Sequence, residues 1–264
     1  MRLNVIIVLL VILVFPLSQA MADDNLFDQF QDYAADEIDA YATPVVEAFG
    51  IGVGSGLYHT ARTHGTLGFD VGLRAMMVLI PQGKSAILDS ADVKLVPLPV
   101  IQASVGLPMD FEVMARGFSF SFQDKTVSLY GAAVKKSLSS LIPIPGFPDV
   151  SAMIAYHSFK GGDVLTASVL SFDAMVSKTF LVISPYAGFG LDRTSMKVEY
   201  AYQPPSVPPL PPPPEVPVSH TIKVSTGRFT VGLNLTPVPF VKIFADYTFA
   251  KFSEATAGLA ISIR

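Results

Sequence analysis

The segment GTLGFDVGLRAM, residues 65–76, alternates between apolar and polar positions. Leu67, Phe69, Val71, Leu73 and Ala75 share one parity; Thr66, Gly68, Asp70, Gly72 and Arg74 share the other. Side chains of an extended chain point alternately to opposite faces, so this pattern predicts a strand with one apolar face and one face carrying an acid and a base. The pattern returns in GRFTVGLNL (227–235), FVKIFADYTF (240–249) and ATAGLAISIR (255–264). From Gly50 onward the whole chain reads as strand and turn. It begins with GIGVGSGLYHTA (50–61) and continues through VKLVPLPVIQASVGL (93–107), KTVSLYGAAVKKSL (125–138), VSAMIAYHSFK (150–160), VLTASVLSFDAMVSK (164–178) and FLVISPYAGFGLDRTSMKVEYAY (180–202). Pro, Gly, Asp and Ser punctuate the connections.

Two stretches depart from simple alternation. In FEVMARGFSFSFQ (111–123), Glu112 and Arg116 share parity with Phe118, Phe120 and Phe122. Either a bulge at Gly117 switches the parity, or the phenylalanines lie beyond the apolar band. QPPSVPPLPPPPEVP (203–217) holds nine of the 21 prolines and cannot enter a sheet interior, so it is expected to form a stiff exposed polyproline loop.

Ahead of the strands, Leu26, Phe27, Phe30, Ala34, Ile38 and Tyr41 recur at steps of three and four with acids between them. This predicts an amphipathic helix over 25–41 capped by Asp24 or Asn25, with Thr43-Pro44 offering a second start for PVVEAF. The segment 23–50 is either a short helix packed by its apolar stripe or a plug at a barrel mouth.

The apolar face could meet a protein core or lipid. The patterned segments run to about 11–16 residues, whereas soluble strands average about 5 or 6. Their polar parity is rich in Gly, Ser, Thr and isolated charges of both signs, which suits a barrel interior. Only 15% of the 264 residues are charged, against about 25% in ordinary globular chains. Lipid offers no water to unpaired backbone groups, so such strands must close on themselves. The expected fold is therefore all-β: a transmembrane antiparallel up-and-down barrel over 51–264, with 10–12 strands and 12 preferred, preceded by the short helix. The chain has no Trp for an interfacial girdle, leaving its 19 Phe and nine Tyr to serve.

The first residues agree with export. Arg2, the apolar run Val5–Phe15, Pro16 and the small residues Ser18, Ala20 and Ala22 read as a signal peptide over 1–22, cleaved near Ala22. There is no cysteine, which excludes disulfides, thiolate metal sites and a lipidated cysteine. Eight acids and no base lie between Asp23 and Gly50, while the remaining mature chain carries 14 acids and 17 bases. No basic patch indicates nucleic acid. With an even number of strands, both ends of the mature chain are expected in the periplasm, the helix held at or inside that mouth by the tether 42–50.

Several of these segments also resemble those of an uncharacterised family of bacterial outer-membrane β-barrel proteins. The resemblance lies in SGLYHTARTHGTLGFDV (55–71), VGLPMDFEVMARG (105–117), YGAAVKKSLSSLIPIPGFPDVSAMIAYHSFKG (130–161) and GLNLTPVPFVKIFADYTFAKFSEATAGLAISIR (232–264). These are strand and turn signatures that cover most of the mature chain. They imply a barrel in the outer membrane of a Gram-negative bacterium, with lipid and the barrel assembly machinery as partners, and they carry no catalytic residue. The chain ends on Arg264 rather than on an aromatic residue.

Catalytic motifs are lacking. His59, His64, His157 and His220 have no metal-ligand spacing and read as polar strand-end residues. GVGSG (52–56) lacks the Lys-Ser/Thr of a phosphate loop, and no nucleophile elbow is present. No enzyme, cofactor or metal is expected. The expected function is a passive channel or binding barrel for small molecules, its solute unspecified. Asp70, Arg74, Glu112, Lys135, Asp173, Arg228, Lys242 and Asp246 would line the lumen and pair across it. The alternatives are a closed structural barrel without transport, and an exported soluble β-protein that binds lipid or a partner.

Overall fold

The structure, a computed structural model, describes residues 38–90, 92–122, 125–141, 144–162, 165–202, 214 and 216–263. The expected signal peptide, the expected helix up to Glu37 and the proline run 203–213 lie outside these residues; at the end of the expected loop, Val216 and Pro217 already pair with Tyr202 and Ala201.

Ten strands form a closed antiparallel barrel: β1 (Phe69–Leu79), β2 (Leu95–Leu107), β3 (Phe111–Phe122), β4 (Lys125–Ser137), β5 (Asp149–Gly161), β6 (Leu165–Ser177), β7 (Ile183–Tyr202), β8 (Val216–Val238), β9 (Val241–Phe249) and β10 (Glu254–Ile263). Each strand pairs with its sequence neighbours, and β1 closes on β10 from Phe69↔Ile263 to Val78↔Glu254. Twelve strands were expected and ten are found. β7 and β8 run to 20 and 23 residues, longer than the expectation allowed, and residues 50–61 form no strand.

The barrel has two distinct mouths. The lower one holds the start of β1, the end of β10 and the connections 108–110, 138–148, 178–182 and 239–240. The upper one holds the connections 80–94, with a short helix α2 (Ala86–Ser90), 123–124, 162–164, 203–215 and 250–253, and there β7 and β8 rise beyond their neighbours.

Alternation along the strands sets the two faces. Phe69, Val71 and Leu73 are exposed on the outer wall, while Asp70 and Arg74 are 1% and 2% exposed on the inner one. In β3 the ladders to β2 and β4 run without a register shift, so Gly117 hosts no bulge. Arg116 is buried, Phe118 packs into an apolar upper lumen and Phe120 stands exposed near the upper mouth, so the phenylalanines of this strand lie above the charged layer. Pro97 and Pro99 fall outside the β2–β3 ladder, where a missing N–H costs no bond to β3.

A helix, α1 (Ile38–Gly54), occupies the upper lumen, and residues 55–68 continue to the lower mouth before turning into β1. The strand reading of Gly50–Ala61, and with it a barrel boundary at residue 51, is corrected: the helix continues through Gly54. Its glycines serve close packing against the wall. A Cβ at Gly50 would stand 2.1 Å from the Thr194 hydroxyl oxygen, and one at Gly54 2.5 Å from the Asp192 carboxylate. Pro44 removes one helical N–H, and beside it the Thr43 hydroxyl donates to the Asp39 carbonyl at 2.6 Å. Ala42, Val46 and Val53 pack with Met76, Leu98, Val198 and Ile222. Ile38 and Ile263 consequently lie at opposite mouths, so residues 38–41 of the helix expected over 25–41 stand away from the mouth that holds the C-terminal strand end, while residues 25–37 lie outside the described residues.

The turn from lumen to wall is tight. Leu67 N–H donates to Gly106 O at 3.0 Å, and Gly106 N–H to Gly68 O at 2.8 Å. A Cβ on Gly106 would lie 2.2 Å from the Gly65 carbonyl oxygen, whereas one on Gly227 would meet nothing closer than 3.8 Å. Gly106→Ala is expected to cost about 1–3 kcal/mol as an overpacking change, with Gly227→Ala close to neutral. Urea unfolding of the two variants in detergent checks this.

Candidate functional site

The lumen is filled by the chain itself, and its polar groups fall into layers. Near the lower mouth, Glu112 on β3 accepts the His64 backbone N–H at 3.0 Å and pairs with Lys135 on β4 at 3.0 Å. Lys135 also donates to the Arg62 carbonyl at 3.2 Å. The same two strands that present the pair thus fasten the incoming segment.

A second layer surrounds His59. Lys242 on β9 lies 3.5 Å from Asp70 on β1. Arg74 donates to the Gly56 carbonyl at 2.8 Å, lies 3.2 Å from His59 Nδ1 and sits over the Phe244 ring at 4.7 Å. The imidazole stacks on the same ring at 4.8 Å. His59 Nε2 is 3.6 Å from Asp70 and 3.2 Å from Lys242. Asp246 accepts from the Tyr186 hydroxyl at 2.8 Å.

A third layer centres on two arginines. Arg228 on β8 donates to Asp173 on β6 at 2.7 Å and to Asp192 on β7 at 2.8 Å. Arg116 on β3 donates to His157 Nε2 at 2.8 Å, to the Ser55 carbonyl at 2.9 Å and to the Val53 carbonyl. The last carbonyls of a helix lack intrahelical partners, and a buried guanidinium from the barrel wall satisfies them here.

All eight residues named from sequence parity are buried on the inner wall: Asp70, Arg74, Glu112, Lys135, Asp173, Arg228, Lys242 and Asp246. The structure brings together Glu112 with Lys135, Asp173 with Arg228, and Asp70 with Lys242; Arg74 bonds instead to the threaded segment, and Asp246 to Tyr186. Sequence reasoning missed Asp192, Glu254, Tyr186 and the role of Arg116. It also placed His59, His64 and His157 at strand ends, whereas two sit on the threaded segment and His157 lies mid-strand. Inward parity alone would have found Asp192 and Glu254; nothing in the pattern showed that the partners of Arg74 and Arg116 lie on residues 53–59.

Among the described residues the buried charges are five Lys and Arg and six Asp and Glu, so the interior is close to electroneutral. No group of three or more His, Asp or Glu among them could hold a metal. At the lower mouth a cleft of about 230 Å³ remains between Thr60, Thr179, Asn234, Lys242 and Ser262.

These features define a class: an up-and-down β-barrel plugged by its own chain. The protein belongs to the family described as "Family of unknown function (DUF6588)", which matches residues 1–90 and 82–263. No curated protein matches the sequence. Among solved structures, the N-terminal barrel domain of Pseudomonas aeruginosa OprF is 14% identical, covering 76% of this chain and 100% of that one at a TM-score of 0.32. The translocator domain of the autotransporter NalP from Neisseria meningitidis is 9% identical over 87% and 98%, TM-score 0.40. The KdgM porin is 6% identical over 74% and 99%, TM-score 0.36.

The Arg228 cluster gives a direct test of how the layers hold the lumen. Arg228→Ala leaves two buried carboxylates without their cation, at a cost of about 3–5 kcal/mol. Adding Asp173→Asn to that variant should recover part of the loss. Double-mutant urea titrations in detergent that came out strictly additive would refute the pairing.

Proposed function

We propose that this protein is an outer-membrane barrel of a Gram-negative bacterium whose lumen is sealed by residues 38–68, and that it is not a passive channel in this state. The observation that supports sealing is the continuous set of contacts the threaded segment makes from the upper to the lower mouth, with neutralised charge layers around it. A conducting pore needs a continuous water path, and this lumen holds side chains and backbone where that path would run.

Membrane residence is supported by the outer wall. Large apolar side chains are exposed around it, among them Leu73, Ile101, Ile154, Phe172, Leu191, Leu233, Ile243 and Leu259. Phe147, Phe180 and Phe240 stand exposed at the lower connections, and Phe229 and Phe249 toward the upper end. β9 runs between the two sets with nine residues. At about 3.4 Å per residue and a tilt of roughly 40°, it covers on the order of 23 Å of depth, close to the ~25 Å apolar band of such barrels. A soluble protein would leave this surface in water, a patch far larger than monomers expose. The partners of this reading are membrane lipid and the assembly machinery that inserts barrels, and it assigns no enzymatic reaction. The lower-mouth cleft supports a second, narrower reading, in which the sealed barrel binds a small molecule there.

Lipid contact predicts depth dependence. Leu73→Arg, at mid-wall, should cost about 2–4 kcal/mol and block assembly, while Met109→Arg at the lower rim should cost about 0–1. Equal effects on the amount of heat-modifiable protein in the outer membrane would refute the lipid-facing wall.

Sealing predicts that the purified full-length barrel gives no steady conductance in planar bilayers, and that deleting residues 38–61, which removes both α1 and the part of the threaded segment around His59, opens it. Arg116→Ala, which frees the end of α1 while keeping the chain whole, should give intermittent openings. Steady conductance from the unaltered protein would overturn the sealed reading.

A further inference from the structure

We infer that the barrel carries its own N-terminal segment across the outer membrane, so that the chain ahead of Ile38 emerges at the cell surface while Ile263 lies on the periplasmic side. This rests on the outer-membrane reading above and adds to it a second task, the display of a chain segment.

The route of the threaded segment is fixed by contacts at successive heights. At the upper end Asp39 reaches His220 on β8 at 2.6 Å, and Glu47 reaches Lys251 in the β9–β10 connection at 2.5 Å. Ile51 packs with Ile80, Leu88 and Phe252 around the same mouth. At mid-height the Ser55 and Gly56 carbonyls accept from Arg116 and Arg74. At the lower end Thr60 lies 3.2 Å from Ser177, His64 bonds to Glu112, and Leu67 bonds to Gly106. The path descends once, without a reversal.

The wall is closed and this one pass fills its interior. A second pass of chain back through the lumen has no space, so whatever precedes Ile38 stays on the upper side. The loops decide which side that is. Barrels of this kind have short periplasmic turns and longer outer loops. The two longest connections, 80–94 and 203–215, and the raised β7–β8 hairpin belong to the upper mouth, beside its short turns 123–124 and 162–164; the lower mouth has one longer connection, 138–148. The segment so displayed, residues 23–37, contains six acids and no base.

The absence of native cysteine makes the test clean. Three single-cysteine variants of the full chain are made: Asp36→Cys ahead of α1, Lys84→Cys on an upper loop and Met109→Cys on a lower turn. Each is treated with a membrane-impermeant maleimide in intact cells and again after outer-membrane permeabilisation. The expected result is that Asp36→Cys reacts in intact cells to the same extent as Lys84→Cys, and that Met109→Cys reacts only after permeabilisation. Reaction of Asp36→Cys only after permeabilisation, together with Met109→Cys, overturns the inference. So does reaction of Met109→Cys in intact cells with Lys84→Cys silent, because the sidedness is then reversed. Heat-modifiable mobility in the outer-membrane fraction is scored for the same samples. Its loss in all three overturns the membrane reading itself and so distinguishes the two failures.

Discussion

The ladder joining β1 to β10, from Phe69↔Ile263 to Val78↔Glu254, leaves the sheet without an edge. Every strand then finds both backbone partners within the wall, and the outer face is free to be apolar. Closure also creates an interior that must be filled. A ring of ten strands encloses more space than its own inward side chains occupy, since inward Gly, Ser and Thr are common on these strands. The chain fills that space with the residues that precede β1, so the wall and its contents are consecutive in sequence.

Filling the lumen determines its chemistry. Eleven buried acids and bases would each be costly alone, and removing one partner of a buried pair is costlier than never having had the pair. The structure answers with near-equal numbers of each sign and with backbone carbonyls of residues 53–62 as further acceptors. Arg116 shows the logic most clearly. Its fork satisfies carbonyls at the end of α1 that nothing within the helix could satisfy, and His157 on β5 takes a third N–H. The helix therefore stops where a wall guanidinium can meet it.

Much of this was legible in the chain. Strict alternation in β1 separated Phe69, Val71 and Leu73 from Asp70 and Arg74, and the same parity in β8, β9 and β10 identified the wall. The number of strands was harder, because β7 and β8 continue past the barrel rim and no residue pattern marks where the rim lies. Residues 50–61 were misread for a physical reason. GIGVG has the small residues of a strand turn, yet its glycines are there so that a helix can lie against Thr194, Val78 and Asp192 without a Cβ in between. Periodicity reports which face a residue shows, but not that the facing surface is the inside of a barrel made later in the chain. The charges were found because each sits at a strand's inner parity; their partners on the threaded segment lie at no repeating position.

The reversal at residues 60–68 has a mechanical consequence. Tension applied at the start of α1 is transmitted along the helix and residues 55–59 to the point where the chain turns from lumen to wall. There the His64–Glu112 and Leu67–Gly106 bonds hold it like a rope made fast to a cleat, against two neighbouring strands at once. The seam between β1 and β10 feels a pull only after those fastenings yield. A pull on the start of α1 is thus absorbed at the far mouth, and the ring stays shut.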